Sequence, residues 1–413
     1  MKSAPGIALL LLLVSCYSPH VFAQGSLTPP GAPAPTMRSL DQIEPRTPIS
    51  AVPFTISSSG SYYLTKSLNV ASGNAIVILT SNVTLDLNGF TLSSTENPAN
   101  SSSAILINGG LANIAVLNGA ISSNVAFNGT TYSGSGFAYG IFYSGNTAPP
   151  SVRVQRISVY RCLAHGIYLG NSGSVVESCA VNTAGNYGIL AESVSNSVAL
   201  NCGSGGILAE TASNCTGTAT NNGTGLQATT AINCYGLAAG SGIGLSATSA
   251  SNCYGSNSAN GSGLSAAMAA NSYGYSSTGT GLITNIAAGC QAYTASPSSL
   301  SPGLHAEATA SNCYGFSAGS GAGIYSAGTV ENSYGQCTGA GTGLYAATNA
   351  VNCYGTSIGG FGIYVGDNGF AIFCTGQSGA SQPVAINCNA GVAIGCNTQG
   401  GNIVAAQKLL GTP

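Results

Sequence analysis

Two carboxylates raise the question of chemistry. Glu192 and Glu210 each stand four residues beyond a Gly-Ile pair, Gly188-Ile189 and Gly206-Ile207. If those pairs mark equivalent points on successive turns of chain, the two side chains stack about 5 Å apart. At that separation two carboxylates raise one another's pKa, share a cation, or act as the acid and nucleophile of a retaining glycosidase. Arg153, Arg156, Arg161 and His165 lie one or two turns earlier, and His305 with Glu307 makes a second pair. Beyond Glu210 the only charged residues are Glu307, Glu331, Asp367 and Lys408, so most of the chain cannot host acid–base work. Both glutamates also fall where strand alternation points outward near a bend, which is equally the place of solvated surface carboxylates.

A second row is aromatic. Tyr235, Tyr254, Tyr273, Tyr314, Tyr334 and Tyr354 recur at one position of a repeated phrase, with Gln291 standing where one more tyrosine would fall. Outward-facing, such a stripe stacks against sugar rings or packs ring on ring as a ladder that strengthens a sheet. An Asn stands before a Cys or Ser at Asn201, Asn214, Asn233, Asn252, Asn271, Asn312, Asn332 and Asn352, and from Asn233 onward a tyrosine follows the pair. Asn tolerates the left-handed backbone of a tight corner, and stacked amides can hydrogen-bond from turn to turn. Cys179, Cys202, Cys215, Cys234, Cys253, Cys290, Cys313 and Cys353 form one series on this reading, with Ser272 and Ser333 as replacements. In an exported chain disulfides have to be weighed, yet parallel side chains on neighbouring turns give a poor torsion for the bond. The Ser replacements suit a small buried residue, so reduced core thiols are expected. No metal site is expected either, since no CxxC pair or His cluster accompanies the cysteines.

These rows need an element that repeats. The phrase G-[LI]-x-A-x-x-A-x-N-[CS]-Y-G begins at Gly225, Gly244 and Gly263, and its Gly-Leu or Gly-Ile anchor runs from Gly206 to Gly362 in steps of 19, 19, 19, 18, 22, 20, 20 and 19. A period of this size, with small residues and no helical stripe, describes the coils of a solenoid. Gly140, Gly166 and Gly188 extend the anchors towards the N-terminus at wider spacing, so the first coils carry longer loops. The expected fold is all-β: a single-stranded right-handed parallel β-helix with coils of about 19 residues, spanning residues 53–400 in about 15 coils. A left-handed β-helix is the rival, but it wants an 18-residue turn that spacings of 18 to 26 do not keep.

Asn82-Val83-Thr84-Leu85-Asp86-Leu87-Asn88-Gly89-Phe90-Thr91-Leu92 and Asn113-Ile114-Ala115-Val116-Leu117-Asn118-Gly119-Ala120-Ile121 resemble the opening coils of secreted right-handed parallel β-helix proteins of the pectate-lyase-like superfamily. The resemblance covers roughly residues 54–396. It implies the fold, and for activity it admits lyases, hydrolases, epimerases and proteins without chemistry. Enzymes of this group need clustered carboxylates, and no two aspartates lie near each other in these coils. Asp86 reads as a turn or cap residue.

Composition narrows the partners. Only 4% of the residues are charged, against roughly 25% in an ordinary domain, and eight Lys plus Arg offer no basic face to nucleic acid. Lys2 followed by the apolar run Ile7 to Val14 is the right length for a secretory leader and too short to span a bilayer. Residues 1–23 are therefore expected to be a signal peptide cleaved after Ala23, with lipoprotein anchoring at Cys16 as the alternative. Residues 24–52 read as a Pro-rich linker and 401–413 as a C-terminal cap or tail. No later transmembrane segment is expected. Together these features point to an exported structural or surface-binding rod, directed to a polysaccharide or cell-surface component if it binds a ligand, without cofactor and without catalysis. The alternative is a polysaccharide lyase, epimerase or glycoside hydrolase.

Overall fold

The computed structural model describes residues 45–145, 151–170, 173–379 and 384–413. The expected leader, its cleavage at Ala23, the anchor at Cys16 and most of the linker lie outside the described residues. Arg46–Pro413 is one compact unit. It is a right-handed parallel β-solenoid of about 17 turns, with no helix among the described residues. No helix among the described residues is long and apolar enough to cross a membrane.

One coil late in the chain shows the plan. Leu344–Ala346, Asn349–Val351 and Tyr354–Ser357 are its three short strands, joined by bends. Each pairs in parallel with its counterpart one coil on, in the register of the sequence repeat: Leu245 opposite Leu264, Tyr254 opposite Tyr273. The exception is a hairpin, Asn124–Phe127 with Tyr132–Ser135, which pairs antiparallel and occupies one of the long early loops. Such loops hide the first anchors in the sequence, which is why it suggests about 15 coils rather than about 17. At the ends, Thr47–Ile49 already pairs with Gly60–Leu64, inside the stretch read as linker. Asn402–Leu409 likewise pairs in parallel with Val384–Ile394, continuing the ladder where a cap or tail was expected.

The interior is a set of columns. Leu226, Leu245, Leu264, Leu282, Leu304, Ile324, Leu344 and Ile363 are all fully buried, one above another. Each such side chain contributes about 2 kcal/mol of burial. The anchoring glycines serve a different purpose. A Cβ on Gly244 would lie 2.3 Å from the Ser256 amide nitrogen and 2.5 Å from the Gly263 carbonyl, so only glycine lets the start of one strand cross this close to the third strand.

The corner before the third strand is left-handed in coil after coil, with φ near +50° at Asn214, Asn233, Asn252, Asn271, Asn312, Asn332 and Asn352. Register extends the column to residues that do not favour this backbone: Arg156 and Ser178 below, Phe373 and Leu410 above. The expected amide ladder is formed at Asn196–Asn214–Asn233 (3.2 Å each) and at Asn332–Asn352 (3.3 Å). Asn201 and Cys202 do not belong to these series. They lie at a separate corner, where Asn201 bonds Asn182 and Cys202 stands opposite Ala184. A step of 13 residues from Asn201 to Asn214 is less than one coil, and the same Asn-Cys pair serves two different bends.

Candidate functional site

The carboxylates meet through their backbones and part through their side chains. The Glu210 amide donates to the Glu192 carbonyl at 2.9 Å, which puts the two residues on adjacent coils as the spacing required. The Glu192 carboxylate then turns to the coil before, accepting from the Gly173 amide, while that of Glu210 turns to the coil after, accepting from Thr229 Oγ1 at 2.7 Å. Each carboxylate has its own donor, on opposite sides, as surface groups with local partners do.

Nor do the basic residues converge on them. Among the described residues no ion pair links Arg153, Arg156 or Arg161 to either glutamate. Arg156 Nε donates to Asn118 Oδ1 at 2.6 Å, and Arg161 reaches Asn124. His165 is sandwiched between Tyr139 and Tyr187, with centroids at 5.8 and 6.0 Å and near-parallel rings. Burial there pushes its pKa down to about 4, so it is neutral at physiological pH. His305 and Glu307 form the expected outward pair, with Nε2 3.2 Å from Oε1, beside the Tyr325 ring. Asp86 is a turn residue: it accepts from the Asn88 amide at 2.8 Å and pairs with Arg46 at 3.2 Å.

Most of the cysteines, from Cys179 and Cys215 to Cys396, line the inside of the left-handed corner, whereas Cys162, Cys202, Cys337 and Cys388 stand elsewhere in the coil. Thirteen described cysteines are free and buried. Cys374 and Cys396 continue the column past Cys353, and Ser197 joins Ser272 and Ser333 as a replacement. Chemistry explains the exchange. Cys253 Sγ donates to the Ser251 carbonyl two residues back at 3.2 Å, and Ser272 Oγ does the same to Ala270 at 2.8 Å. Burial raises the pKa of Cys162 and Cys202 to about 12, which keeps them as thiols. Among the described residues no group of three or more potential ligands could hold a metal.

The tyrosines face outward, one per coil. Tyr235, Tyr254 and Tyr273 stack at 5.0 and 4.9 Å, and Tyr314, Tyr334 and Tyr354 at 5.3 and 5.1 Å with larger tilts. Ring faces are thus largely spent on one another, and the stripe presents edges. Burial raises the phenol pKa of Tyr235, Tyr273 and Tyr314, helped by neighbouring phenols, so these hydroxyls stay neutral donors.

A second aromatic column, Tyr275, Tyr293 and Phe316, runs alongside and spans the gap at Gln291, with stacking distances of 5.8 and 4.3 Å. It continues into glutamines: Gln336 accepts from Tyr314 at 3.0 Å, and Gln377 from Tyr354 at 2.9 Å. The phrase shows residues two beyond each tyrosine, but no single type recurs there to draw attention.

Between the Tyr314–Tyr334–Tyr354 ridge and the Asn312–Asn332–Asn352 corner lies a groove of about 660 Å³, which runs from Gly289 and Gln291 to Phe373 and Thr375. None of its lining residues is charged. Among the described residues the Asn312 side-chain amide has no hydrogen-bond partner, and Asn332 Nδ2 and Asn352 Oδ1 are likewise left over from the ladder bond that joins them. All three side chains are exposed. Phe373 closes the far end in place of the next Asn. The sequence did carry that signal, a Phe where the phrase has Asn, but after Gly362 the phrase has loosened too far to show it.

No family model matches the chain, and no curated protein does. Among solved structures the chain is similar to the A-module of the mannuronan C-5 epimerase AlgE6 of Azotobacter vinelandii, at 10% identity and a TM-score of 0.28 over 86% of this chain and 91% of that one, a likeness too slight to carry an argument about activity.

Proposed function

We propose that the protein is an exported, non-catalytic β-solenoid of the pectate-lyase-like kind that binds polysaccharide at a surface. The observation that carries this reading is the groove of about 660 Å³ between the tyrosine ridge and the asparagine corner. It offers unpaired amides in a row at the coil spacing of about 4.8 Å, beside an aromatic wall. Extended polymers with a short chemical repeat suit a site that itself repeats. Location outside the cell rests on the leader expected in residues 1–23. The rival reading, a lyase, epimerase or glycoside hydrolase, needs acid–base groups that face one another. Glu192 and Glu210, the best candidates, each turn to a separate donor.

The test is a panel of acidic and neutral polysaccharides, scored for binding and for released products in the same wells. Binding without products supports the reading. Product release overturns it in favour of the enzyme, and failure to bind any polysaccharide removes the recognition role.

A further inference from the structure

Phe373 occupies a conformation that its type disfavours. Its φ of 50° is left-handed, a backbone that strains a bulky L-residue. Four of the preceding five coils place Asn at this corner and the other places Gly289, both of which tolerate it. Yet Phe373 is 58% exposed, so no core packing offsets the strain. One side of it rests on the following coil, where a Cβ on Gly395 would lie 2.6 Å from two ring carbons. The other side is open, at the end of the groove. In the tyrosine ridge Tyr334 has a ring on either side and all three tyrosines are half-buried, so Phe373 is the most exposed aromatic residue of the lining.

The charge of the groove is equally specific. No Lys, Arg or His lines it, and an acidic group, Glu331, stands exposed beside Asn332 on the preceding strand. A uronate polymer would find no counter-charge and one carboxylate to repel it. A neutral sugar needs only hydrogen-bond partners of both kinds and a flat apolar surface for its C–H face. The leftover amides of Asn312, Asn332 and Asn352 supply the first, and Phe373 supplies the second.

We infer that the groove takes a neutral glycan, extended along the solenoid axis with about one sugar per coil, and that the sugar at the far end stacks on Phe373. This rests on the polysaccharide-binding reading and sharpens it. The polymer's own repeat, close to the coil spacing, keeps successive sugars in register with successive asparagines.

Titration calorimetry of the mature protein with a neutral β-linked glucose tetramer and with a uronate tetramer tests the inference, using wild type, Phe373→Gly and Phe373→Asn. The neutral tetramer should bind, the uronate should not, and both variants should bind at least about tenfold more weakly. Because Gly and Asn suit the left-handed corner, both variants should melt no lower than wild type, which separates loss of the ring from loss of the fold. Equal binding of the uronate, or unchanged affinity in Phe373→Gly, overturns the inference and leaves polysaccharide binding standing. If neither these tetramers nor any polysaccharide of the wider panel binds, the recognition reading falls and the inference with it.

Discussion

Glu192 and Glu210 are joined by a backbone hydrogen bond of 2.9 Å, and yet their carboxylates face away from each other, one towards Gly173 and the other towards Thr229. Two carboxylates so arranged are surface groups with local partners. Glu192→Gln and Glu210→Gln should each change stability by no more than about 0.5–1 kcal/mol in urea unfolding. Neither variant nor wild type should release oligosaccharide from polygalacturonate or alginate. A product that forms with wild type and disappears in Glu192→Gln would show that the carboxylates do meet in a working site.

The two halves of the tyrosine stripe should separate by experiment. Tyr254 is stacked between Tyr235 and Tyr273, away from the groove. Tyr254→Ala should lower stability by about 1–2 kcal/mol, and a double-mutant cycle with Tyr273 should give a coupling of about 0.5–1.5 kcal/mol. Glycan affinity should not change. Asn332→Gly, which keeps the left-handed corner and removes a groove amide, should do the reverse, costing several-fold in affinity and little in melting temperature.

Gly244→Ala places a methyl group against the backbone of both Ser256 and Gly263. Neither contact is with a movable side chain. Destabilisation of at least about 2–3 kcal/mol is expected, against a change within about 0.5 kcal/mol for Ser246→Ala on the outer face. A Gly244→Ala protein as stable as wild type would contradict the close crossing.

His165 links stability to pH. Its folded pKa, near 4, lies below the unfolded value of about 6.5. Between those values the unfolded chain binds the extra proton. The stability due to neutral His165 is present in full above about pH 6.5 and is lost as pH falls towards 4. Allowing for the partial exposure of the ring, the loss is on the order of 1–2 kcal/mol. In His165→Phe, which keeps the stack with Tyr139 and Tyr187, melting temperature should fall less steeply over that range.

The corner thiols are interchangeable with hydroxyls in one respect, the bond to the carbonyl two residues back. Cys253→Ser should therefore be tolerated, at a cost of about 1 kcal/mol. Cys253→Val removes the donor while staying apolar, and should cost more. The reverse order in thermal unfolding would mean that burial, and not the corner hydrogen bond, selects this position.

Much of the fold was legible because a solenoid writes its period into the chain. The Gly225, Gly244 and Gly263 copies give coil length, the inward Leu column and the outward Tyr column directly. What the period does not carry is direction within a coil. Glu192 and Glu210 are correctly placed on adjacent coils by their offset from glycine, but side-chain torsions decide where each carboxylate goes. Asn201 misled for another reason: a two-residue pattern is too short to tell one bend from the next. Phe373 and the Tyr275–Tyr293–Phe316 column were missed because they depart from the consensus, and a search for repetition passes over departures.

The left-handed corner has one further consequence. Arg156, Ser178, Asn252, Gly289, Phe373 and Leu410 all occupy it, so its shape is imposed by the coils on either side and not by the residue that happens to stand there. Each turn thereby presents one outward position whose side chain can be exchanged at the price of local strain alone. Along the axis these positions form an evenly graduated rail. Gene duplication that adds a turn adds a mark to the rail, and a point mutation rewrites one mark without disturbing the rest.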